Sequence, residues 1–324
     1  MSADNDFSRL TDPYRHELLA HCYRMLGSIH DAEDLVQETY LRAWRGYDRF
    51  EERSSLRTWL YRIATRACLT ALDSRERRVL PSGLGAPTPD GESTLGAHLD
   101  TVAWLTPIPT TMLSGDPSDP ATIVGMRDRT RIALIAAMQQ LSPRQRAALL
   151  LRDVLGWHAD EIAELLGTST ASTTSALQRA RARLAKSAPR EDDIEPSYVD
   201  QQVLAQFIDA FGRSDVAAVA QLLRDDVEFE MPPIATWFSG RDAVSAFFEF
   251  RVLKGHTRPM LATSANGYPA AASYTLRDGA WAPHSIQVLE IRGGAIAHIH
   301  AFLDPGLYPT FGLPMTPPVV DGGA

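Results

Sequence analysis

Pro81, Pro87, Pro89, Pro107, Pro109, Pro117 and Pro120 all fall between Leu80 and Gly125, a stretch that contains no Lys or Arg. Each proline removes a backbone donor and fixes φ, so neither a long helix nor a central strand can run through this segment. On either side, from about Phe7 to Val79 and from Met126 to about Lys186, apolar residues recur at helical spacing. A second break follows at Pro189, the acidic run Glu191-Asp192-Asp193, and Pro196. The sequence therefore predicts four parts: an all-α block over 1–79, a proline-rich acidic linker over 80–125, a second all-α block over 126–187, and a further domain over 197–324.

The last part has a different rhythm. Val203 to Leu223 and Asp242 to Leu253 read as helices, whereas Val227-Glu228-Phe229-Glu230-Met231 alternates strictly, as a half-buried strand does. Strand-like runs follow at Pro259–Ala265, Ala270–Leu276, Ser285–Arg292 and Ala295–Leu303, with Gly293-Gly294 as a hairpin turn. Helices followed by a meander of strands predict an α+β domain.

The net charge of −8 argues at first against nucleic acid, but its distribution reverses that. Residues 1–79 are neutral and 80–125 carry −5; 126–190 carry +6 and 191–324 carry −9. Binding to phosphate needs a local basic surface, and the second helical block supplies one. No apolar run reaches the roughly 20 residues that span a bilayer, and the polar start Met1-Ser2-Ala3-Asp4-Asn5-Asp6 lacks the pattern of a signal peptide. A cytoplasmic protein with no membrane contact is the expectation. The two cysteines, Cys22 and Cys68, form no C-x-x-C pair. They read as buried free thiols, and no metal or cofactor is expected.

Within the basic block, Asp160 to Leu166 reads as a short helix, with Gly167 placed to end it and Ser169 to cap the next. That next helix has a core stripe of Thr173, Leu177, Ala180 and Leu184. Two short helices about a glycine turn predict a helix-turn-helix, whose second helix enters the major groove. Ser169, Thr170, Ser172, Thr174, Ser175, Gln178, Arg179 and Arg183 lie off the stripe as candidate DNA contacts, while Arg181 points elsewhere.

The run Leu141-Ser142-Pro143-Arg144-Gln145-Arg146, with Asp160–Gly167 and Ala180–Leu184, resembles region 4 of the sigma-70 family. Asp31–Trp44 (DAEDLVQETYLRAW) is similar to region 2.2, and Ser55–Arg66 (SLRTWLYRIATR) to regions 2.3 and 2.4. The order and spacing resemble the extracytoplasmic-function subfamily, and the resemblance covers about residues 7–186. It implies a sigma factor that binds core RNA polymerase through the β′ clamp helices and the β flap, and that directs transcription initiation without being an enzyme. Asp34, Gln37, Glu38 and Arg42 would face the clamp. Arg57, Tyr61, Arg62 and Arg66 would meet the melted −10 element, which needs aromatic platforms and cations. Trp59, flanked by Leu56, Leu60 and Ile63, reads as core. Residues 48–54 would form the loop that takes the flipped base. Region 4 would read the −35 element, although many relatives carry a basic residue where this chain has Thr174 or Ala176. In the family, the linker threads towards the active-site channel of the polymerase. Here Val102–Pro107 (VAWLTP) is too apolar for a bare spacer and is expected to dock, by intramolecular contact, on the C-terminal domain.

Residues 197–310 resemble the SnoaL-like branch of the NTF2-like cone, on the order of elements and on the turn Phe238–Val244. The arrangement resembles the SigG and SigJ groups of sigma factors, a resemblance that implies a regulatory role for the appended domain. Trp237, His284, His298, His300 and Asp304 are the candidate lining of its pocket. The alternative is a fusion whose C-terminal domain binds a ligand or is an isomerase-type enzyme; a helix-turn-helix regulator that does not bind polymerase is a third reading.

Overall fold

The computed structural model describes residues 2–50, 54–92, 95–113, 130–187, 198–254 and 258–318. It divides into two units: residues 1–78 with 111–190, and residues 79–110 with 191–324.

The first unit is helical: α1 Ser2–Thr11, α2 Arg15–Leu26, α3 Ile29–Gly46, α4 Leu56–Leu72, α5 Ile132–Gln139, α6 Pro143–Leu149, α7 Ala159–Leu166 and α8 Thr170–Ser187. Short polar caps set the starts. The Ser28 hydroxyl accepts from Asp31 N at the head of α3, and the Ser55 hydroxyl from Thr58 N at the head of α4. Ser142 and Gln145 form a reciprocal capping box, with Pro143 at the first helical position. The Ser-Pro-Arg-Gln sequence is thus a helix start written out in residues. α2 is central: Leu18 to Leu26 are all buried, and α3, α4, α5 and α6 pack around it. Cys22 and Cys68 are buried free thiols here, and the Cys68 thiol is pushed well above its ordinary pKa by hydrogen bonding to Cys22 and by burial.

Arg146 ties this unit together. It is 3% exposed, and among the described residues no acid forms an ion pair with it. Its guanidinium donates to Met25 O, to Met138 O at 3.0 Å, to Gln139 Oε1 at 2.6 Å, and to Gln139 O and Leu141 O at 3.3 Å. These carbonyls lie at the C-terminal ends of α2 and α5, where helices leave orphan acceptors and partial negative charge. One cation caps two helices from different halves of the sequence.

In the second unit come α9 Tyr198–Gly212, α10 Val216–Leu222, β1 Leu223–Glu230, β2 Trp237–Ser239, α11 Arg241–Phe247, β3 Met260–Ala265, β4 Tyr268–Arg277, β5 Ala280–Arg292, β6 Ala295–Phe302 and α12 Leu307–Thr310. The strands form one sheet in the order β2-β1-β6-β5-β4-β3, antiparallel except for the parallel pair β1–β6. Gly293 and Gly294 both have positive φ, as the tight β5–β6 hairpin requires. The helix expected over 203–223 is two helices. Ser214 turns left-handed at φ 56°, and the Asp215 carboxylate restarts the chain by accepting from Ala218 N. The three-residue β2 was not foreseen; nothing so short carries a periodicity.

Residues 79–110, expected within the linker, belong to this second unit. Thr88 N donates to Trp237 O at 2.7 Å beside β2, and Leu99 N to Pro233 O. At the other edge, Ile108 and Asn266 exchange hydrogen bonds near the end of β3. The segment therefore covers both edges of the sheet, where unpaired backbone groups would otherwise stand. Leu105 and Ile108 are fully buried, and Trp104 bridges to Val79. Gly91 permits the closest approach: a Cβ there would sit 2.2 Å from Phe247 N. Val102–Pro107 lies in this unit with Leu105 fully buried; its main-chain hydrogen bonds run to Val79 and Leu99 of the same segment.

Candidate nucleic-acid and polymerase interfaces, and the C-terminal cavity

The helix-turn-helix is built as the sequence implies. Gly167 has φ 62° at the end of α7, and the Ser169 hydroxyl accepts from Ser172 N at 3.2 Å. Thr173, Leu177 and Ala180 are buried. Ser169, Thr170, Ser172, Thr174, Gln178, Arg179 and Arg183 are exposed and Ser175 is half-buried. Thr174 donates to Thr170 O, which leaves its oxygen able to accept. Arg181 is held aside by Asp153 at 2.5 Å.

On α3, Asp34, Gln37 and Arg42 are exposed and Glu38 is half-buried, with Arg42 Nε donating to Glu38 at 2.6 Å. The same outward face carries two large apolar side chains, Leu41 at 49% and Trp44 at 52% exposure. Sequence reasoning passed over them because it sorted the helix into apolar core and charged exterior. Leu41 and Trp44 break that sorting.

The α4 residues differ from expectation. Tyr61 is 2% exposed, with its ring edge-on to His21 at 5.2 Å, so it is core and not a stacking platform. Burial, reinforced by Glu17, pushes its hydroxyl pKa up. Arg57 grips Glu17 in three hydrogen bonds and lies 5.1 Å over the Tyr61 ring. Arg62 pairs with Glu164 of α7 at 2.8 Å and sits over Trp157. Of the four −10 candidates only Arg66 is exposed. Trp59, expected in the core, is half-buried against Phe50 at 4.8 Å. Residues 51–53 of the expected base-binding loop lie outside the described residues.

In the C-terminal domain a cavity of about 250 Å³ opens between the helices and the inner face of the sheet. Phe211, Phe229, Phe247 and Phe248 wall it, Leu95 of the docked segment reaches it, and Arg258, His284 and Gln287 supply polarity. Arg258 donates to Val252 O, but its Nη1 and the Gln287 Oε1 are buried without a hydrogen-bond partner. His284 is driven down to about 4 by burial, then by Arg258 and Arg277, so it lines the wall neutral.

Of the five expected lining residues, only His284 is there. Trp237 sits on edge strand β2 and donates to Gly85 O; Asp304 accepts from Gly306 N in a turn. His298 and His300 alternate with Ile299 and Ala301, which face the interior, so both histidines lie on the opposite face. There the parallel register sets Glu228 beside His298 and Glu230 beside His300. Glu230 is fully buried, its Oε1 2.7 Å from His300 Nδ1 and 3.2 Å from His298 Nε2. Burial opposes charge on His300, but Glu230 and Glu290 outweigh it and raise the imidazole to about 9. The alternation at Glu228 and Glu230 was visible in sequence; the parallel β1–β6 pairing, which brings it to the histidines, was not.

The comparisons with known proteins agree with these parts. Residues 10–78 match the Sigma-70 region 2 family, 131–184 the Sigma-70 region 4 family and 204–299 the SnoaL-like domain. The chain is 48% identical over 315 residues to "ECF RNA polymerase sigma factor SigG" of Mycobacterium tuberculosis (strain ATCC 25618 / H37Rv), covering 95% of this chain and 84% of that one. It belongs to the ECF RNA polymerase sigma factors. This sigma factor is also 31% identical to SigJ of the same organism over 217 residues, 66% of this chain and 61% of that one. The fold matches the crystal structure of Mycobacterium tuberculosis SigJ with a TM-score of 0.60 at 22% identity, covering 97% of this chain and all of the other. As a sigma factor it works with RNA polymerase and promoter DNA. Among the described residues no helix is long and apolar enough to cross a membrane.

Proposed function

We propose that this sigma factor engages polymerase through the outer face of α3, reads the −35 element through α8, and is restrained by its own C-terminal domain through residues 79–110. The observation that carries the restraint is the anchoring of that segment on the sheet, with Gly91 against α11 and Leu105 and Ile108 fully buried. If the linker threads towards the active-site channel, as it does in the family, it must first leave this site. Docking and engagement then compete for one stretch of chain, and the C-terminal domain acts as an inhibitor.

On α3, Asp34, Gln37, Glu38 and Arg42 surround Leu41 and Trp44, an apolar centre with a charged rim suited to the clamp helices of β′. The β flap is the corresponding partner for region 4. On α8 the exposed hydroxyls and Gln178 suit base edges, with Arg179 and Arg183 on phosphate or guanine. Single-stranded −10 recognition uses Arg66, together with Arg57 and Arg62 once their carboxylate partners release them; Tyr61 contributes from the core.

Run-off transcription with core polymerase tests the restraint. Gly91→Leu, which cannot pack against Phe247, and a chain ending at Lys186 should both raise output from a cognate promoter. Output equal to or below the parent from both would refute inhibition. A second reading, that the C-terminal domain is also a ligand-binding module, is favoured by the unpartnered Arg258 and Gln287 atoms in the cavity.

A further inference from the structure

We propose that Glu230, His298 and His300 form a binding site for one zinc-class divalent cation on the outer face of the C-terminal sheet. The three side chains each offer a ligand atom, and those atoms all lie within 4.8 Å of one another. They stand on adjacent, hydrogen-bonded strands, Glu230 on β1 and both histidines on β6, so the backbone holds them in place.

The outer nitrogens carry the argument. His300 Nε2 lies 3.3 Å from Glu290 Oε1, and His298 Nδ1 lies 3.3 Å from Glu228 Oε2. Each imidazole thus has one nitrogen on a carboxylate and the other directed at the same oxygen, Glu230 Oε1. A histidine that ligates a metal characteristically donates its far N–H to a carboxylate, which fixes the tautomer and raises the basicity of the ligating nitrogen. His300 has that arrangement in place, with Nε2 hydrogen-bonded to Glu290, and His298 stands at ion-pair distance from Glu228 on the same patch. His300 Nδ1 and His298 Nε2 both stand beside Glu230 Oε1, so a cation seated among the three atoms would take the place of the proton held between His300 and Glu230. His298 Nε2 is buried and makes no hydrogen bond. The other oxygen of Glu230 already accepts from Ser82 N at 3.1 Å, which leaves Oε1 for the cation.

Charge points the same way. Glu228, Glu230 and Glu290 bring three carboxylates to one patch, and of these Glu290 has Arg292 at 3.2 Å. Two imidazole nitrogens and one carboxylate oxygen, with no thiolate, suit zinc in a three-ligand site with an open fourth position. Magnesium and calcium prefer all-oxygen shells. Bonds of about 2.0–2.1 Å in a tetrahedral site set ligand atoms about 3.3 Å apart. The 3.2 Å between Glu230 Oε1 and His298 Nε2 meets this spacing, and the 2.7 Å to His300 Nδ1 must open by about 0.6 Å. A way in exists on the His298 side, where the His298 and Glu228 side chains are 15% and 42% exposed. Because Glu230 also anchors Ser82, the cation would stiffen the acceptor that holds the start of the docked segment.

The test uses the full chain, stripped with chelator and titrated with Co²⁺ followed by visible absorption, then with Zn²⁺ followed by metal content after dialysis. The parent should take up one Co²⁺ with a tetrahedral-type spectrum, displaced by Zn²⁺. His298→Gln should abolish that equivalent while circular dichroism stays unchanged. Glu228→Gln, at a half-buried position, should keep the stoichiometry and weaken binding by about 10- to 100-fold. The proposal is overturned if the parent retains no more metal than His298→Gln, as a self-contained carboxylate–imidazole network would give. Should His298→Gln fail to fold, Glu228→Gln decides: affinity equal to the parent overturns the site, and a weakened single equivalent supports it.

Discussion

Replacing Arg146 by Met removes the cation that caps α2 and α5 while keeping most of the side-chain bulk. Four main-chain carbonyls, of Met25, Met138, Gln139 and Leu141, and the Gln139 side-chain oxygen lose the Arg146 donor, although Met138 O keeps Leu141 N at 3.0 Å. Buried acceptors left unsatisfied cost about 1–3 kcal/mol each. The costs are not additive, and Met avoids the desolvation that already pulls Arg146 down to about 10. A net loss of about 3–5 kcal/mol follows, a large part of the roughly 5–15 kcal/mol that holds a domain folded. Arg146→Lys should fall in between, since an ammonium keeps the charge but cannot span five acceptors. Hydrogen exchange under graded urea reads the result helix by helix. Because the guanidinium joins Met25 of α2 to the end of α5, amides of both helices should lose protection together in the variant. A loss below about 1 kcal/mol, or one confined to α5 and α6 with α2 untouched, would refute the role assigned to this residue.

Three further outcomes follow from the same unit and from the docked segment. His21 is fully buried against Thr65 and held down to about 3, by burial first and Arg24 second; the unfolded chain binds its proton near pH 6.5 and the folded chain does not, so stability is intact above 6.5 and falls by about 1.4 kcal/mol per pH unit between 6.5 and 3. Urea midpoints at pH 7, 6 and 5 should show His21→Gln losing that slope, and a parallel pH dependence in both proteins would contradict it. Glu164→Ala frees Arg62 and should strengthen binding of a single-stranded −10 oligonucleotide a few-fold at low salt, with the gain disappearing at high salt; fluorescence anisotropy measures it, and a salt-independent gain would point to another cause. Leu105→Ala opens a void under a fully buried side chain and should cost about 2–5 kcal/mol of local stability, read as faster exchange of amides 79–110 while the β5 amides stay protected.

The helix-turn-helix was legible because each of its signals is local. Gly167, Ser169 and the stripe Thr173–Leu177–Ala180 act within a few residues of themselves, and the structure uses each as read. The −10 surface was less legible because cation and aromatic content on α4 do not say which way a side chain turns. Tyr61 has the composition of a stacking platform, yet it completes the packing against His21, and Arg57 and Arg62 have carboxylate partners 40 and 102 residues away in sequence. The pocket expectation failed at His298 and His300 for a different reason. Period-two alternation says that both share a face but not which face, and only the sheet order, with β1 parallel to β6, settles it.

That sheet order also explains how one small domain can act on a linker. The inner face meets the helices and closes the cavity, with Leu95 among its walls; the outer face carries the carboxylate–imidazole cluster, with Ser82 hydrogen-bonded to it. Residues 79–110 are thus fastened at both faces and both edges of a single sheet. A contact made at so many separated points is strong when all of them hold, and it loosens progressively as they fail. An occupant of the cavity would press on Leu95, and a change at Glu230 would release Ser82. Under the proposed restraint, either change would act on the docked segment and leave α3 and α8 untouched. Variants at Leu95 and at Ser82 should therefore shift promoter output in the same direction while leaving the affinity of a chain ending at Lys186 for core polymerase unaltered.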